Sequence, residues 1–203
     1  MAAPDIVKYT IEVQEIGLSK FDAMVVNLPS NSQASNYINI LPQMQSIDIF
    51  QSIYSPVIRC EIAIHDVIGL FVNFPLSGEE ILTIKYRNVF DKIERELIFV
   101  IDAITDINFA ITARSQTYII KGVAIEAWAN AKQTVQKAYS NKAIPDIVKK
   151  LHEEYLNNKI REFYPKYQSP NFTLENNDTS TGTIIIPNIS PFSAMTMLAD
   201  MAI

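Results

Sequence analysis

The sequence has few of the residues on which common enzyme motifs depend. Among its 203 residues there are only five glycines, two histidines and one cysteine. With so few glycines there is no GxSxG turn, phosphate loop or dinucleotide-binding fingerprint. His65 and His152 have no Cys, Asp or Glu at metal-ligand spacing, so we expect no metal site and no cofactor. These absences predict a chain that is not an enzyme.

The carboxylates do not reverse this prediction. Glu79-Glu80 and Glu153-Glu154 are adjacent pairs, and neighbouring side chains point apart on a strand or a helix. Asp102 and Asp106 flank Ile104 and would approach one another only in a bend, where they would form a glycosidase-like pair. We therefore expect the acidic residues to lie on solvated surface.

The scarcity of cysteine and of basic clusters excludes further classes. Cys60 cannot form an internal disulfide and is predicted to be a small buried apolar residue rather than a reactive thiol. Lys and Arg number 17 against 22 Asp and Glu and are scattered, which argues against nucleic-acid binding. No apolar run approaches the ~18 residues of a membrane span, and the start MAAPDIVKYT lacks a signal sequence.

Hydrophobic residues, by contrast, make up 48% of the chain and alternate in its first part. The densest alternation runs from Ser46 to Arg87, and Ile58, Cys60, Ile62 and Ile64 occupy one face of an extended segment. Comparable patterns predict strands over 6–16, 24–28, 94–105 and 115–128, with Gly122 as a bulge. About seven strands at this spacing indicate a barrel or a sandwich.

The period changes from two to about 3.6 after Asn130. Ala131, Val135, Ala138 and Tyr139 are spaced as one helix face, with Asn130 as the cap. A second helix is predicted from Ile144 to about Leu156, and a third begins at Pro191 behind the cap Ser190. The stretch between them, 157–182, is polar and reads as a surface excursion with a short strand near 171–174.

The predicted fold is therefore α+β and mainly β. An antiparallel β-barrel is expected over residues 1–128 and a small helical connector over residues 129–203. The final helix reaches the last residue without a glycine or polar cap, which we interpret as the front part of a longer protein.

Two apolar groups are candidates for contact with another subunit. The first group follows the polar loop PSNSQASN and comprises Tyr37, Ile38, Ile40 and Leu41. The alternative is that these residues cover the end of the barrel. The second is Phe99 with Ile101, in a strand whose two faces are both apolar. Such a strand is either buried on both sides or packed against a neighbouring subunit.

Four stretches carry a resemblance to a known family. SIDIFQSIYSPVI and the segment FPLSGEEILTIKY resemble the first domain of the central hub proteins of contractile-tail baseplates, and the end GTIIIPNISPFSAMTMLADMAI resembles the strand and helix that precede a second barrel in that family. NAKQTVQKAYSNKAIPDIVKKLHEEYL resembles the helical connector that follows the barrel in that family. Such hubs often have a glycine where this chain has Cys60.

The resemblance implies a structural role. It implies a tail-tube-like barrel and a connector that leads to a second barrel absent from this chain. It also implies a homotrimer that joins the hexameric tail tube to the trimeric central spike, touches other baseplate proteins and leaves a conduit for DNA. The expected location is the tail baseplate of a virion, after synthesis and assembly in the bacterial host cytoplasm.

Two alternatives stay open at this point. The chain could be the hub part of a bacterial contractile injection system or of a type VI secretion spike, whose valine-glycine-repeat proteins are relatives of the family. More distantly, it could be a cell-wall hydrolase carried on a tail, which would need a carboxylate pair or a metal site in a pocket.

Overall fold

The computed structural model of the chain describes residues 7–12, 18–27, 36–70, 76, 78, 80–88, 94–110, 115–169 and 180–202. Within them the chain divides into two compact units, Met1–Ile125 and Glu126–Ile203. The fold is α+β and mainly antiparallel β, as the alternation of apolar residues predicts.

The first unit is one antiparallel sheet of eight strands that curls into a half-barrel. In space the strands follow the order β1-β4-β5-β8-β7-β6-β2-β3, and a short 3-10 turn, Leu41–Gln43, joins β3 to β4. The strands are β1 Val7–Glu12, β2 Leu18–Asn27, β3 Asn36–Asn39, β4 Met44–Ser52, β5 Ser55–Asp66, β6 Ile81–Asn88, β7 Glu94–Ala110 and β8 Ser115–Ala124.

Alternate residues of these strands form the core of the sheet unit. Ile47 of β4, Ile62 of β5 and Ile120 of β8 are fully buried and lie in one row, because Ile47 pairs with Ile62 and Ile62 with Ile120. The core also holds Tyr118, whose pKa is raised by burial and by the neighbouring Asp66 carboxylate. The alternation of apolar residues in the sequence therefore reflects the burial of one face of each strand, which removes apolar surface from water.

The second unit packs helices on a two-stranded antiparallel sheet. Its core combines Tyr139 and Ile184 from the two strands with Ile147, Leu151 and Leu198 from the helices. The elements are α1 Ile125–Ala131, β9 Val135–Ala143, α2 Ile144–Leu151, a π-helical segment His152–Asn157, α3 Asn158–Phe163, β10 Ser180–Ile189 and α4 Pro191–Met201.

The start of the second unit corrects one prediction. Residues 131–139 were expected to be helical, but the helix is α1, and Val135–Ala143 is a strand paired with β10. Val135 and Tyr139 are both buried, and a spacing of four puts two residues on one face of a helix and equally of a strand. Pairing with a distant segment therefore decided between two structures that the local pattern allowed.

Asn130 has a different role from the one predicted. It was expected to cap a helix beginning at Ala131, but its side-chain oxygen accepts the Phe192 amide hydrogen at 2.7 Å, in the first turn of α4. Ser190 caps the same helix as predicted, with its hydroxyl accepting from the Ser193 amide at 3.4 Å. Two side chains thus satisfy amide groups that a helix start leaves free.

Two boundaries also differ. The last predicted strand of the barrel was expected to reach Trp128 but ends at Ala124. Residues from Asn157 were expected to lie in a surface excursion, whereas the helix that starts at Ile144 continues through the π-helical segment to Phe163. The short strand predicted near 171–174 lies outside the described residues.

Candidate assembly surfaces

The residues predicted to contact another subunit lie inside the chain's own core wherever their side chains are described. Ile40, Phe99 and Ile101 are at most 1% exposed and belong to the core of the sheet unit, with Leu41 packed against its margin. The side chains of Tyr37 and Ile38 fall outside the described part. These buried side chains have an intramolecular role, and contact with another subunit stays a prediction.

The burial of residues 99–101 explains why both faces of β7 are apolar there. Phe99 and Ile101 face the core, while Val100 between them is also 1% exposed and pairs with the buried Ile81. Residues 99–101 of the strand are therefore buried on both sides within one chain, which is the first of the two interpretations that the sequence allowed. Exposed apolar surface lies beyond these three residues.

One exposed apolar group lies where β5 and β7 end. Asp66 of β5 and Phe109 of β7 both pair with Gln116 of β8, so the three strands reach one end of the sheet together. Phe109 is 69% exposed, and the residues just beyond Asp66 are exposed as well. We call this set the end group; its members are Val67, Ile68, Ile107 and Phe109.

A second exposed group lies at the turn between β4 and β5. Ser52 pairs with Ser55, so Ile53 and Tyr54 form a two-residue turn, and they are 92% and 73% exposed. Such turns favour Asn and Gly, because these residues adopt the required backbone at low cost. Two large apolar side chains at this tip are unfavourable in water and typical of a contact surface.

A cavity of about 480 Å³ lies next to this turn. Tyr54, Cys60 and Gly122 are among the residues that line it. The ion pair between Lys121 and Glu61, at 3.4 Å, contributes opposite charges to the wall. The cavity thus combines apolar and charged groups without a concentrated charge of either sign.

The groups in this cavity do not form a nucleophilic site. Burial strongly raises the pKa of the Cys60 thiol, so the thiol is protonated at neutral pH and is a poor nucleophile. Asp106, which the sequence allowed as a carboxylate partner of Asp102, has a φ of 55°. Its carboxylate accepts a hydrogen bond from the Thr105 hydroxyl at 3.0 Å. In the described part of the chain, no three His, Cys, Asp or Glu side chains are grouped to hold a metal ion.

The π-helical segment of the second unit carries a polar network. The Asn157 amide donates to the Glu153 carboxylate at 2.6 Å and lies 3.3 Å from Nδ1 of His152. Arg161 pairs with the other Glu153 oxygen at 2.6 Å, and these contacts lower the pKa of Glu153. Burial lowers the pKa of His152. The spacing of five between His152 and Asn157 matches the wider turn of a π-helix, in which such residues are neighbours.

In the described residues, no helix has both the length and the apolarity that crossing a bilayer takes. The exposed apolar groups found above were missed by sequence reasoning. The available signal was local, since Ile53-Tyr54 occupies a turn and INFA extends β7 beyond the predicted end at Thr105.

Comparison with known proteins gives no match to a family model and none to a curated protein. Among solved structures, a tail protein from Neisseria meningitidis MC58 is 15% identical with a TM-score of 0.52, covering 90% of this chain and 45% of that one. This similarity shows a shared fold, and it confirms at that level the resemblance carried by the four sequence stretches.

Two further structures are similar at lower scores. The E. coli c3393 protein is described as a type VI secretion component similar to the T4 tail proteins gp27 and gp5. It is 12% identical with a TM-score of 0.45, covering 96% of this chain and 43% of that one. A Francisella PdpA–VgrG complex is 16% identical with a TM-score of 0.48, covering 91% of this chain and 28% of that one. The chain spans less than half the length of each of the three structures.

Proposed function

We propose that the chain is a structural subunit of a contractile-tail baseplate hub. In this role three copies join the hexameric tail tube to the trimeric central spike and leave a conduit for DNA, and the subunit has no catalytic activity. The observation that carries the proposal is the fold shared with a tail protein over 90% of the chain. Residues 1–128 would be the barrel and 129–203 the connector to a further barrel.

The open sheet supports assembly with other copies. In the described ladders β1 and β3 each have a single neighbouring strand, so the half-barrel has two edges. A sheet edge presents backbone groups that pair with another chain unless they are covered. A ring of copies would cover such edges, and stable assemblies of this type bury more than ~2,000 Å².

The exposed apolar groups support the same proposal. The end group and the Ile53-Tyr54 turn lie at opposite ends of β5, because the turn precedes that strand and Val67 follows it. A subunit placed between a tube and a spike needs a contact surface at each end. Burying a side chain such as Phe109 in such a contact contributes about 1.5 to 3 kcal/mol.

The proposal is tested by the mass and rotational symmetry of the purified chain. Light scattering and electron microscopy at micromolar concentration are expected to show threefold rings, and a tag on the chain is expected at the junction of tube and spike in isolated tails. A stable monomer, a tag absent from tails or cell-wall hydrolysis by the pure chain would overturn the proposal.

Variants separate assembly from folding in this experiment. Ile68→Lys with Phe109→Lys is expected to leave the circular dichroism spectrum unchanged and to weaken binding of the chain to tails. Ile185→Lys is the matched control, because Ile185 is 70% exposed but lies on β10 of the second unit. Equal incorporation of both variants into tails would remove the end group from the proposed contact.

A further inference from the structure

The second half of β7 has a neighbouring strand on only one side. The first half lies between β6 and β8, and its pairing with β6 runs from Glu94 to Val100. The Ile101 amide donates to the Glu80 carbonyl at 2.9 Å. From residue 102 to residue 110, β8 is the only strand that pairs with β7 in the described part of the chain. We call residues 102–110 the β7 edge.

The direction of the backbone groups on this edge follows from the ladder. Facing residues of an antiparallel pair exchange either two hydrogen bonds or none, and the two kinds alternate. Ile101 and Gly122 exchange none, because the Ile101 amide donates to Glu80 on the other side. Strand β8 is regular from 116 to 123, and Gln116 pairs with Phe109. Since Gln116 is an even number of residues from Gly122, the Phe109 amide and carbonyl point away from β8.

The β7 edge is exposed to solvent. Within the described residues, its side chains make hydrogen bonds only with groups of the same edge. The Thr105 hydroxyl donates to the Asp106 carboxylate at 3.0 Å, and the Asn108 amide donates to the Asp106 carbonyl at 3.1 Å. Ile107 and Phe109 are 43% and 69% exposed. An exposed strand edge that carries apolar side chains is a site for pairing with another strand unless it is covered.

The side chains of the edge indicate which kind of strand complements it. Residues 102–110, DAITDINFA, contain two aspartates and no lysine or arginine. Asp102 and Asp106 are exposed, and in the part of the chain that the structure describes neither forms an ion pair. Lys121, which lies opposite Ala103, pairs with Glu61 at 3.4 Å. A strand that combines apolar residues with lysine or arginine would match both the charge and the apolar side chains of this edge.

A second copy of this chain matches the edge less well. Two β7 edges paired with one another would bring their aspartates into one contact without a cation, and like charges across a strand pair are destabilising. The outer strands of the described sheet supply no excess of cations either. Strand β1 has one lysine and one glutamate, and β3 has no charged residue. The occupant that fits is therefore a strand of a different protein.

Two bulges interrupt the edge, one at Asp102 and one at residues 106–107. Bulges and charges are also a means of keeping an edge from pairing. Protection alone, however, does not account for Ile107 and Phe109, which are apolar and exposed on the same edge. Residues 103–105 and 108–110 keep a regular register with β8, so regular backbone lies on both sides of the second bulge.

We propose that the β7 edge binds an extended segment of a second tail protein in which apolar residues alternate with lysine or arginine. Backbone hydrogen bonds to the edge would supply affinity, and the alternating side chains would supply specificity. The inference rests on the proposed hub function and deepens it. It names the contact made at the end of the sheet that carries the end group.

The charge of the partner is tested with a synthetic peptide of alternating valine and lysine, as long as the β7 edge. Its binding to the full chain is measured by fluorescence anisotropy, and a peptide with glutamate for lysine is the control. Asp102→Asn with Asp106→Asn is expected to weaken binding of the lysine peptide at least about tenfold. Asp146→Asn with Asp200→Asn removes the same charge from exposed positions of the second unit and is expected to bind like wild type.

The backbone contact is tested by comparing Phe109→Pro with Phe109→Ala. Both variants lose the aromatic ring, but only proline also removes the amide that points away from β8. The proline variant is expected to bind the lysine peptide about tenfold more weakly than the alanine variant. Their circular dichroism spectra are expected to agree, because the missing amide takes no part in the ladder with β8.

Equal affinity of the proline and alanine variants would overturn strand addition. Equal binding of the lysine and glutamate peptides, or no binding of either, would overturn the inferred partner while leaving the hub function standing. Loss of self-association in Phe109→Pro but not in Phe109→Ala, measured by analytical ultracentrifugation, would assign the edge to a second copy and overturn the inference. A wild-type chain that binds the lysine peptide but is absent from isolated tails would instead count against the hub function.

Discussion

Gly122 lies in a closely packed part of the sheet unit, and its replacement by alanine tests that packing. It pairs with Cys60 on one side and with Ile101 on the other. An added Cβ would lie 3.0 Å from the Cys60 sulfur and 3.1 Å from the Phe99 Cβ. Both neighbours are 1% exposed.

Two opposing effects decide whether Gly122→Ala raises or lowers the free energy of unfolding. Alanine loses less backbone freedom than glycine, which favours the variant by about 0.5 to 1 kcal/mol, and the buried methyl group adds about 0.8 kcal/mol. Overpacking costs about 1 to 3 kcal/mol. The Phe99 Cβ moves only with the backbone of β7, so we expect strain to prevail and the free energy of unfolding to fall by about 1 kcal/mol.

A double-mutant cycle isolates the contact with sulfur. Cys60→Ala removes that sulfur, so Gly122→Ala in this background is expected to cost about 1 kcal/mol less than in wild type. Gly182→Ala is the matched control, because among the described residues no heavy atom apart from those of its chain neighbours lies within 4 Å of its added Cβ. Urea unfolding followed by circular dichroism gives each free energy of unfolding. An unchanged dependence of that free energy on urea concentration checks that each variant unfolds in two states.

The reasoning fails if Gly122→Ala is as stable as wild type, or if its cost is the same with and without Cys60. A loss of stability in Gly182→Ala similar to that of Gly122→Ala would also contradict it. That outcome would trace the effect to glycine in a strand and not to packing.

The remaining predictions concern the core, a histidine and a helix cap. Phe99→Asp is expected to unfold the sheet unit, because it places a charge in the core; a native circular dichroism spectrum would contradict its burial. Burial lowers the pKa of His152, so the stability it confers is present above the unfolded-state pKa of about 6.5 and is lost as pH falls through the folded-state pKa. His152→Gln is therefore expected to flatten the fall of the urea midpoint between about pH 7 and 5, and parallel profiles would refute this. Ser190→Ala is expected to lower the free energy of unfolding by about 0.5 to 1 kcal/mol, because Asn130 still caps α4; a larger loss in thermal melting than that of Asn130→Ala would reverse the ranking of the two caps.

Local patterns were sufficient where they had one structural solution. The alternation of Ile58, Cys60, Ile62 and Ile64 is incompatible with a helix face, and β5 forms there. Pro191 behind Ser190 also has one reading, since proline suits the first turn and serine the cap, and α4 begins at that point.

The candidate site was less predictable than the fold. Phe99 and Ile101 were candidates for contact with another subunit because their strand has two apolar faces, and the structure buries both of these residues within the chain. Exposure depends on what lies above a strand, and a pattern of residues does not contain that information. The end group became visible only when the register placed the ends of β5 and β7 beside the same residue of β8.

The amino-acid sequence by itself determined that the first unit is antiparallel β, because the period of its apolar residues matches a strand whose one face is buried. It also determined the start of α4, through Ser190 and Pro191. Only the tertiary structure decided that Val135–Ala143 is a strand and that Phe99 is core, and only it placed the Lys137 and Lys142 ammonium groups over the Tyr139 ring. The physical reason is that strand pairing and burial depend on segments far apart in the chain, whereas capping and periodicity act between near neighbours.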